Sequence, residues 1–312
     1  MKKRTILCLI AGFGLLGSLA TAQKLMQPAK QGNEAAQVNT TVLSNQMMIT
    51  IMARMKNHDL PEAKKIAFEM IDGHEQYIDT PTMEYRCFSS LMGKILYEVM
   101  GEQSGSKRTI NWLEQPVADG FYFLAMIAYQ EGNKAKALDY LQKSIQWDPV
   151  RSAFFAERGY MLLNQEGSKD LGMVAASYLK AADLADNIED FAAAIRGMGF
   201  TYVEKGDMET GLACYILSLK FDPSSKAAKY EVEFIRRRNP LLVKNMDVNG
   251  AAAVLAERRI PTRINPVHVT VLWRLADQLV KNKQPRELKA VYRRILLIDP
   301  TNKEAKARLG SF

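Results

Sequence analysis

Cysteine and histidine are scarce: three of each in 312 residues. Cys8 lies in an N-terminal apolar run, which leaves Cys87 and Cys214. Two thiols in a chain this long do not make a disulfide framework. They read as buried free thiols, with a Cys87–Cys214 bridge as the alternative. His58, His74 and His268 stand apart from one another, and neither H-E-x-x-H nor C-x-x-C occurs. No metal is therefore expected. There is no G-x-S-x-G elbow. "GEQSGSK" (101–107) misses the spacing of a phosphate-binding loop and reads as a polar turn. "IEDF" (188–191) and "EKGDMET" (204–210) read as helix caps and turns rather than paired catalytic acids. Convincing period-2 strands are missing too. No catalytic residue and no cofactor follow from this inventory, so the expectation is a protein that is not an enzyme.

Long apolar runs are absent beyond Ala22. The stretch up to that point has a basic start, "MKKR", an apolar run, "TILCLIAGFGLLGSLA", and a small-residue stop, "ATA". This is the pattern of a secretory signal, with cleavage expected after Ala22. The alternative is an uncleaved anchor, for which the run is short. The chain is thus expected to be exported, periplasmic or secreted. "GFGLLG" (12–17) matches a dinucleotide-binding fingerprint, but it lies inside the export signal with no strand before it, so it carries no cofactor reading. Residues 23–40 are polar, lack apolar periodicity and read as a flexible leader.

The remaining composition is that of a globular chain, 47% hydrophobic and 24% charged. Charge is unevenly placed. Residues 224–312 carry 19 Lys/Arg against 8 Asp/Glu, whereas residues 23–223 carry 20 against 26. An acidic body to about residue 223 is followed by a basic C-terminal part, an asymmetry that can steer partners.

From about Thr41 the pattern is helical nearly to the end, and it repeats. Asp-Pro endings fall at Pro149, Pro223 and Pro300, at nearly equal intervals. Each interval is roughly twice the period of about 34 that marks a two-helix repeat. With Pro149 at position 32, Phe121 falls at 4, Leu124 at 7, Ala125 at 8, Ala128 at 11, Gly132 at 15, Ala137 at 20, Leu141 at 24 and Ser144 at 27. With Pro223 at 32, Met198, Gly199, Tyr202, Gly206, Gly211, Tyr215 and Ser218 take the matching places. With Pro300 at 32, Leu275, Ala276, Leu279 and Tyr292 do so. Small residues let two helices cross closely, large ones fill the space between them, and the proline stops the second helix.

This pattern resembles the tetratricopeptide repeat over roughly residues 41–309. Weaker units are read at 57–70, with Ala63 at position 20; at 83–100, as a first helix; and at 154–185. A degenerate pair is read in "AAKYEVEFIRRR" and "DVNGAAAVLAERR", and a cap helix at 302–309. The resemblance implies an all-α solenoid of about seven helix pairs wound as a right-handed superhelix. Its first helices would line a concave face. It is nearly silent about function.

The resemblance also places residues in that groove. These are Tyr122, Met126 and Tyr129; then Tyr160 with Asn164 beside it; then Arg196 and Phe200; then Trp273. Aromatic side chains and Arg are frequent anchors of peptide-binding surfaces. If the alignment is off by one residue, several of them move into the core between helices. Some members of the family clamp a partner's terminal carboxylate with Lys and Asn. Here the matching positions hold Tyr122, Met126, Arg196 and Phe200, so that activity does not transfer.

A second feature is basic: Arg236, Arg237 and Arg238, then Arg258 and Arg259, then Arg293 and Arg294. An export signal argues against nucleic acid as its partner. The expectation is a scaffold or adaptor that binds a segment of another envelope or secreted protein. The alternative is binding of an anionic envelope polymer or membrane surface through the basic part.

Overall fold

The computed structural model describes residues 34–165 and 169–312, with side chains from residue 44 onward. The expected export signal, its cleavage site and leader residues 23–33 lie outside the described residues. Along the chain come α1 (Glu34–Lys56), α2 (Leu60–Met70), a single 3-10 turn (His74–Gln76), β1 (Met83–Arg86), α3 (Leu91–Ser104) and β2 (Thr109–Trp112). Then follow α4 (Val117–Gln130), α5 (Lys134–Trp147), α6 (Ser152–Leu163), α7 (Leu171–Leu184), α8 (Ile188–Glu204) and α9 (Met208–Phe221). The series closes with α10 (Lys226–Arg238), α11 (Pro240–Asn245), α12 (Val248–Glu257), α13 (Val267–Lys281), α14 (Pro285–Ile298) and α15 (Lys303–Gly310). Among the described residues the architecture is an all-α helical repeat with one small sheet.

Local chemistry sets the helix boundaries. Asn133, Asn187, Asp207 and Asn302 each accept a backbone N–H three residues on, at the starts of α5, α8, α9 and α15. These contacts satisfy donors that a helix N-terminus otherwise leaves open. Gly132 and Gly206 turn the chain between paired helices with φ of 81° and 85°. Residues with a Cβ seldom adopt that left-handed region.

The described chain divides into two compact units. One comprises the residues up to Phe154 together with Val267–Phe312. In it α1 packs on α2, α2 on α4, and α4 on α5. Ala63 in α2, Ala125 in α4 and Ala137 in α5 are fully buried, as expected for helix crossings. α13 packs on α14, and α14 on α15. Leu272, Ala276, Val291, Tyr292, Ile295 and Ala305 form their core, with Met92 of α3 packed against it. α13 therefore lies against α3, far earlier in the chain. Arg274 donates two hydrogen bonds to Glu102 across that contact, at 2.9 and 2.6 Å.

The other unit is Phe155–Pro266. Its centre is the pair α8 and α9, with α7 packed on α8. The Tyr178 ring of α7 is wedged between two glycines. A Cβ at Gly159 or Gly197 would lie 2.9 or 2.3 Å from it. Atoms in a close-packed interior cannot approach that far.

Two repeat units share one internal bond. Ser144 Oγ donates to the Ala118 carbonyl at 2.6 Å, and Ser218 Oγ to the Ala192 carbonyl at 3.1 Å. Both serines occupy position 27 and tie the end of the second helix to the start of the first. The third Asp-Pro unit has Ile295 at that position, fully buried instead.

Four expectations need correction. α1 begins at Glu34, inside the segment read as leader. The reason is that "EAAQVNT" contains no helix breaker. Residues 83–100 do not form one helix: β1 pairs in parallel with β2, Met83 opposite Thr109 and Arg86 opposite Trp112, and α3 is the crossover between them. The Ser90 hydroxyl starts α3 by accepting from the Gly93 N–H. Cys87 consequently follows a strand rather than sitting on a helix. Finally, α10 and α12 do not pair with each other. Each packs on α9, with α11 inserted between them.

Candidate functional site

Three of the expected groove residues meet in the Phe155–Pro266 unit. Tyr160 of α6 and Arg196 and Phe200 of α8 line one cleft, joined by Leu163, Tyr178, Gly197, Ala227 and Glu231. The helix period explains the pairing on α8: Arg196 and Phe200 are four residues apart and share a face. Arg196 Nη1 donates to Ser218 Oγ at 3.1 Å and lies 3.4 Å from Asp222 Oδ2. Its guanidinium is therefore aimed from behind by the end of α9. Phe200 is 6% exposed and meets the Tyr215 ring edge-on. Its exposed rim is all it offers the cleft. Tyr160 is half-buried, and Asn164 Nδ2 bonds the Tyr160 carbonyl at 2.8 Å, securing the end of α6. The free volume is about 10 Å³. That is room for one water. The cleft is a seam over which a segment could lie.

Sequence reasoning missed Tyr178, Glu231 and Ala227. Tyr178 is on a second helix, and α10 has no clear repeat register. The available signal was the glycine pair Gly159 and Gly197, each in mid-helix where a glycine needs a packing reason.

The other groove candidates lie elsewhere. Tyr122 is a correction: it is 2% exposed and stacks on Phe154 with centroids 5.1 Å apart. It belongs to the core because α6 begins directly over it. Met126 and Tyr129 stay partly exposed on α4. Trp273 packs against Tyr292 within the α13–α14 core, 5.6 Å between centroids.

Arg236, Arg237, Arg238, Arg258, Arg259 and Arg293 are exposed, and Arg294 is half-buried. Arg236 and Arg237 share Glu233, at 2.6 and 3.5 Å, and Arg258 pairs with Asp207 at 3.3 Å. Arg238 stacks on the Phe234 ring. The charge boundary near residue 223 does not separate the compact units. Residues 224–266 belong with Phe155 onward, whereas Arg293 and Arg294 belong with the other unit.

One charged cluster was invisible in the sequence. Arg151 is clamped between Asp119 and Asp148, hydrogen-bonded to both, and stacks on Phe154. Both carboxylates are buried. Burial pushes the Asp148 carboxyl up, against the pull of Arg151. Next to this cluster, Cys87 Sγ accepts from the Ala118 N–H at 3.1 Å. Burial pushes its thiol up to about 12. Cys214, inside α9, is raised by burial as well, and both cysteines are free. Protonated, buried thiols are poor nucleophiles. Among the described residues no His, Cys, Asp and Glu side chains are grouped to hold a metal ion. No helix there is long and apolar enough to cross a membrane.

Residues 118–151 match the family model of the tetratricopeptide repeat. No curated protein matches the chain. Among solved structures, the chain is similar to the C-terminal part of a TPR repeat-containing protein from Cytophaga hutchinsonii. The two are 14% identical, over 84% of this chain and 99% of that one, with a TM-score of 0.31. That score is too low to transfer anything. The matched segment coincides with α4, α5 and their Asp-Pro stop. This chain is therefore an all-α helical-repeat protein whose residues 118–151 match the tetratricopeptide repeat, an architecture whose stacked units generally present binding surfaces.

Proposed function

We propose that this chain is an exported scaffold that binds a segment of another envelope or secreted protein across the cleft at Tyr160, Arg196 and Phe200. The observation that carries this is the convergence of those three side chains, two aromatic and one cationic, on one seam. The "MKKR…ATA" start supports the export half of the reading.

A photocrosslinking residue at Tyr160 tests it in the envelope fraction. A crosslinked protein is expected, with about tenfold weaker binding of that protein to Tyr160→Ala and Arg196→Ala. Undiminished binding by both variants would overturn the cleft. Recovery from the cytoplasmic fraction of a chain still carrying Met1 to Ala22 would overturn export.

A second reading has its own observation. Arg236, Arg237 and Arg238 are exposed beside Tyr230 and Leu241, each 67% exposed, and α11 has no buried residue. Exposed apolar side chains rimmed by arginine suit an anionic membrane surface or polymer. Cosedimentation with phosphatidylglycerol vesicles would then fall steeply between about 0.05 and 0.5 M salt. Salt-independent binding would exclude this reading.

A further inference from the structure

The β1–α3–β2 segment has an open edge. In a parallel pair, alternate residues point their N–H and C=O to opposite sides. The Thr109 N–H donates to the Thr82 carbonyl and the Leu113 N–H to the Arg86 carbonyl, so the odd residues of β2 face β1. Ile110 and Trp112 consequently direct their N–H and C=O away from the sheet. Among the described residues no hydrogen bond reaches those four groups. Among the described residues β1 is the strand paired with β2, and no strand lies on its other side. The opposite edge of β1 is already occupied. The Met83 carbonyl accepts from the Thr80 N–H, the Tyr85 N–H donates to Asp79 Oδ1, and the Cys87 N–H donates to the Trp147 carbonyl. The sheet is thus sealed on one side and open on the other, a combination proteins ordinarily avoid.

We propose that the outer edge of β2 receives an extended peptide segment of a partner as a third strand. The edge offers two donors and two acceptors, and a polypeptide strand is the ligand that matches such a row. The surroundings select its side chains. Trp112 faces α3 with its ring 5.3 Å from Phe88 and 6.4 Å from Tyr97, and Lys94 Nζ lies 5.6 Å from the Trp112 ring. That end suits an apolar residue. At the other end Lys107 and Arg108 are exposed, Arg108 only loosely paired with Glu84 at 3.7 Å. That end suits an acidic residue. The site is independent of the Tyr160 cleft, which lies in the other unit, so either can fail alone.

The test uses the full chain and a fluorescein-labelled octapeptide with two acidic residues followed by alternating valine and threonine, together with its reversed sequence. One polarity is expected to bind by fluorescence anisotropy. Two further peptides are N-methylated on alternate residues, in the two possible registers. One register is expected to lose binding and the other to keep it. Ile110→Pro removes an outward N–H without touching the ladder to β1, and should weaken binding about tenfold. Lys107→Glu, at an exposed site, should weaken the acidic peptide about threefold and leave the melting temperature unchanged. No binding of either polarity at millimolar concentration overturns the proposal. So does equal binding of both methylated peptides, or unaltered binding by Ile110→Pro. Self-association that Ile110→Pro abolishes would assign the edge to a second copy and overturn it too.

Discussion

The repeats that end at Pro149 and Pro223 share a frame but use their arginines differently. Both have serine at position 27 bonded to the first turn of the unit, and both have aspartate before the proline. In the first, Arg151 comes from beyond the proline and is locked by Asp119 and Asp148. In the second, the residue matching Asp119 is Ala193, and Arg196 takes over from within the first helix, held by Ser218 and Asp222 on the edge of a cleft. The same scaffold thus yields a sealed ion cluster in one unit and a candidate binding seam in the other. Three positions make that difference: Asp119, Tyr122 and Arg151 of the first unit are matched by Ala193, Arg196 and Ser225 in the second.

The largest effect should come from breaking the sealed cluster. Arg151→Met leaves two buried carboxylates without their cation, at a cost of about 3–5 kcal/mol. Arg196→Met faces a half-exposed aspartate and should cost about 1 kcal/mol. Urea unfolding of the two variants measures the contrast, and equal losses would contradict the distinction.

Next comes alkaline pH. Each repeat neighbourhood buries one thiol, Cys87 and Cys214, whose pKa rises on folding. The folded state then holds protons that the unfolded state releases above about pH 9. Stability therefore falls as pH rises from about 9 towards 12, by about 1.4 kcal/mol per pH unit for each thiol. Cys87→Ser should roughly halve the thiol part of the slope between about pH 9 and 10, read from unfolding midpoints.

The smallest effects test the shared frame. Ser144→Ala should cost about 1 kcal/mol, since it removes one buried hydrogen bond, and Ser218→Ala somewhat more, since it removes the bond to Ala192 and the one from Arg196. A loss confined to one of them, measured by thermal unfolding, would show that the two units are not equivalent at position 27.

Much of the helical frame was legible. Pro149, Pro223 and Pro300 stop helices through their own missing N–H, and Ala125, Ala137, Gly199 and Gly211 mark crossings by their size. Part of the site was legible as well, because Arg196 and Phe200 share a helix face whatever packs against it. The β1–β2 pair was not legible. Each strand has four residues. "MEYR" becomes a strand because "TINW" lies beside it, a fact no window around either contains. Tyr122 was misplaced for a similar reason. Whether its face is a groove or a core depends on Phe154 in the next helix.

Within the repeats ending at Pro149 and Pro223, the helix limits and the recurrence of a two-helix unit could be read from local residues, because caps, turns and proline stops act within a few positions. Tertiary structure decided which faces are covered. α13 was brought onto α3, Arg151 was buried between two carboxylates, and Tyr160 was set beside Arg196 and Phe200. Those outcomes rest on contacts between residues distant in the chain, where apolar burial and charge pairing depend on what lies opposite rather than on what lies next.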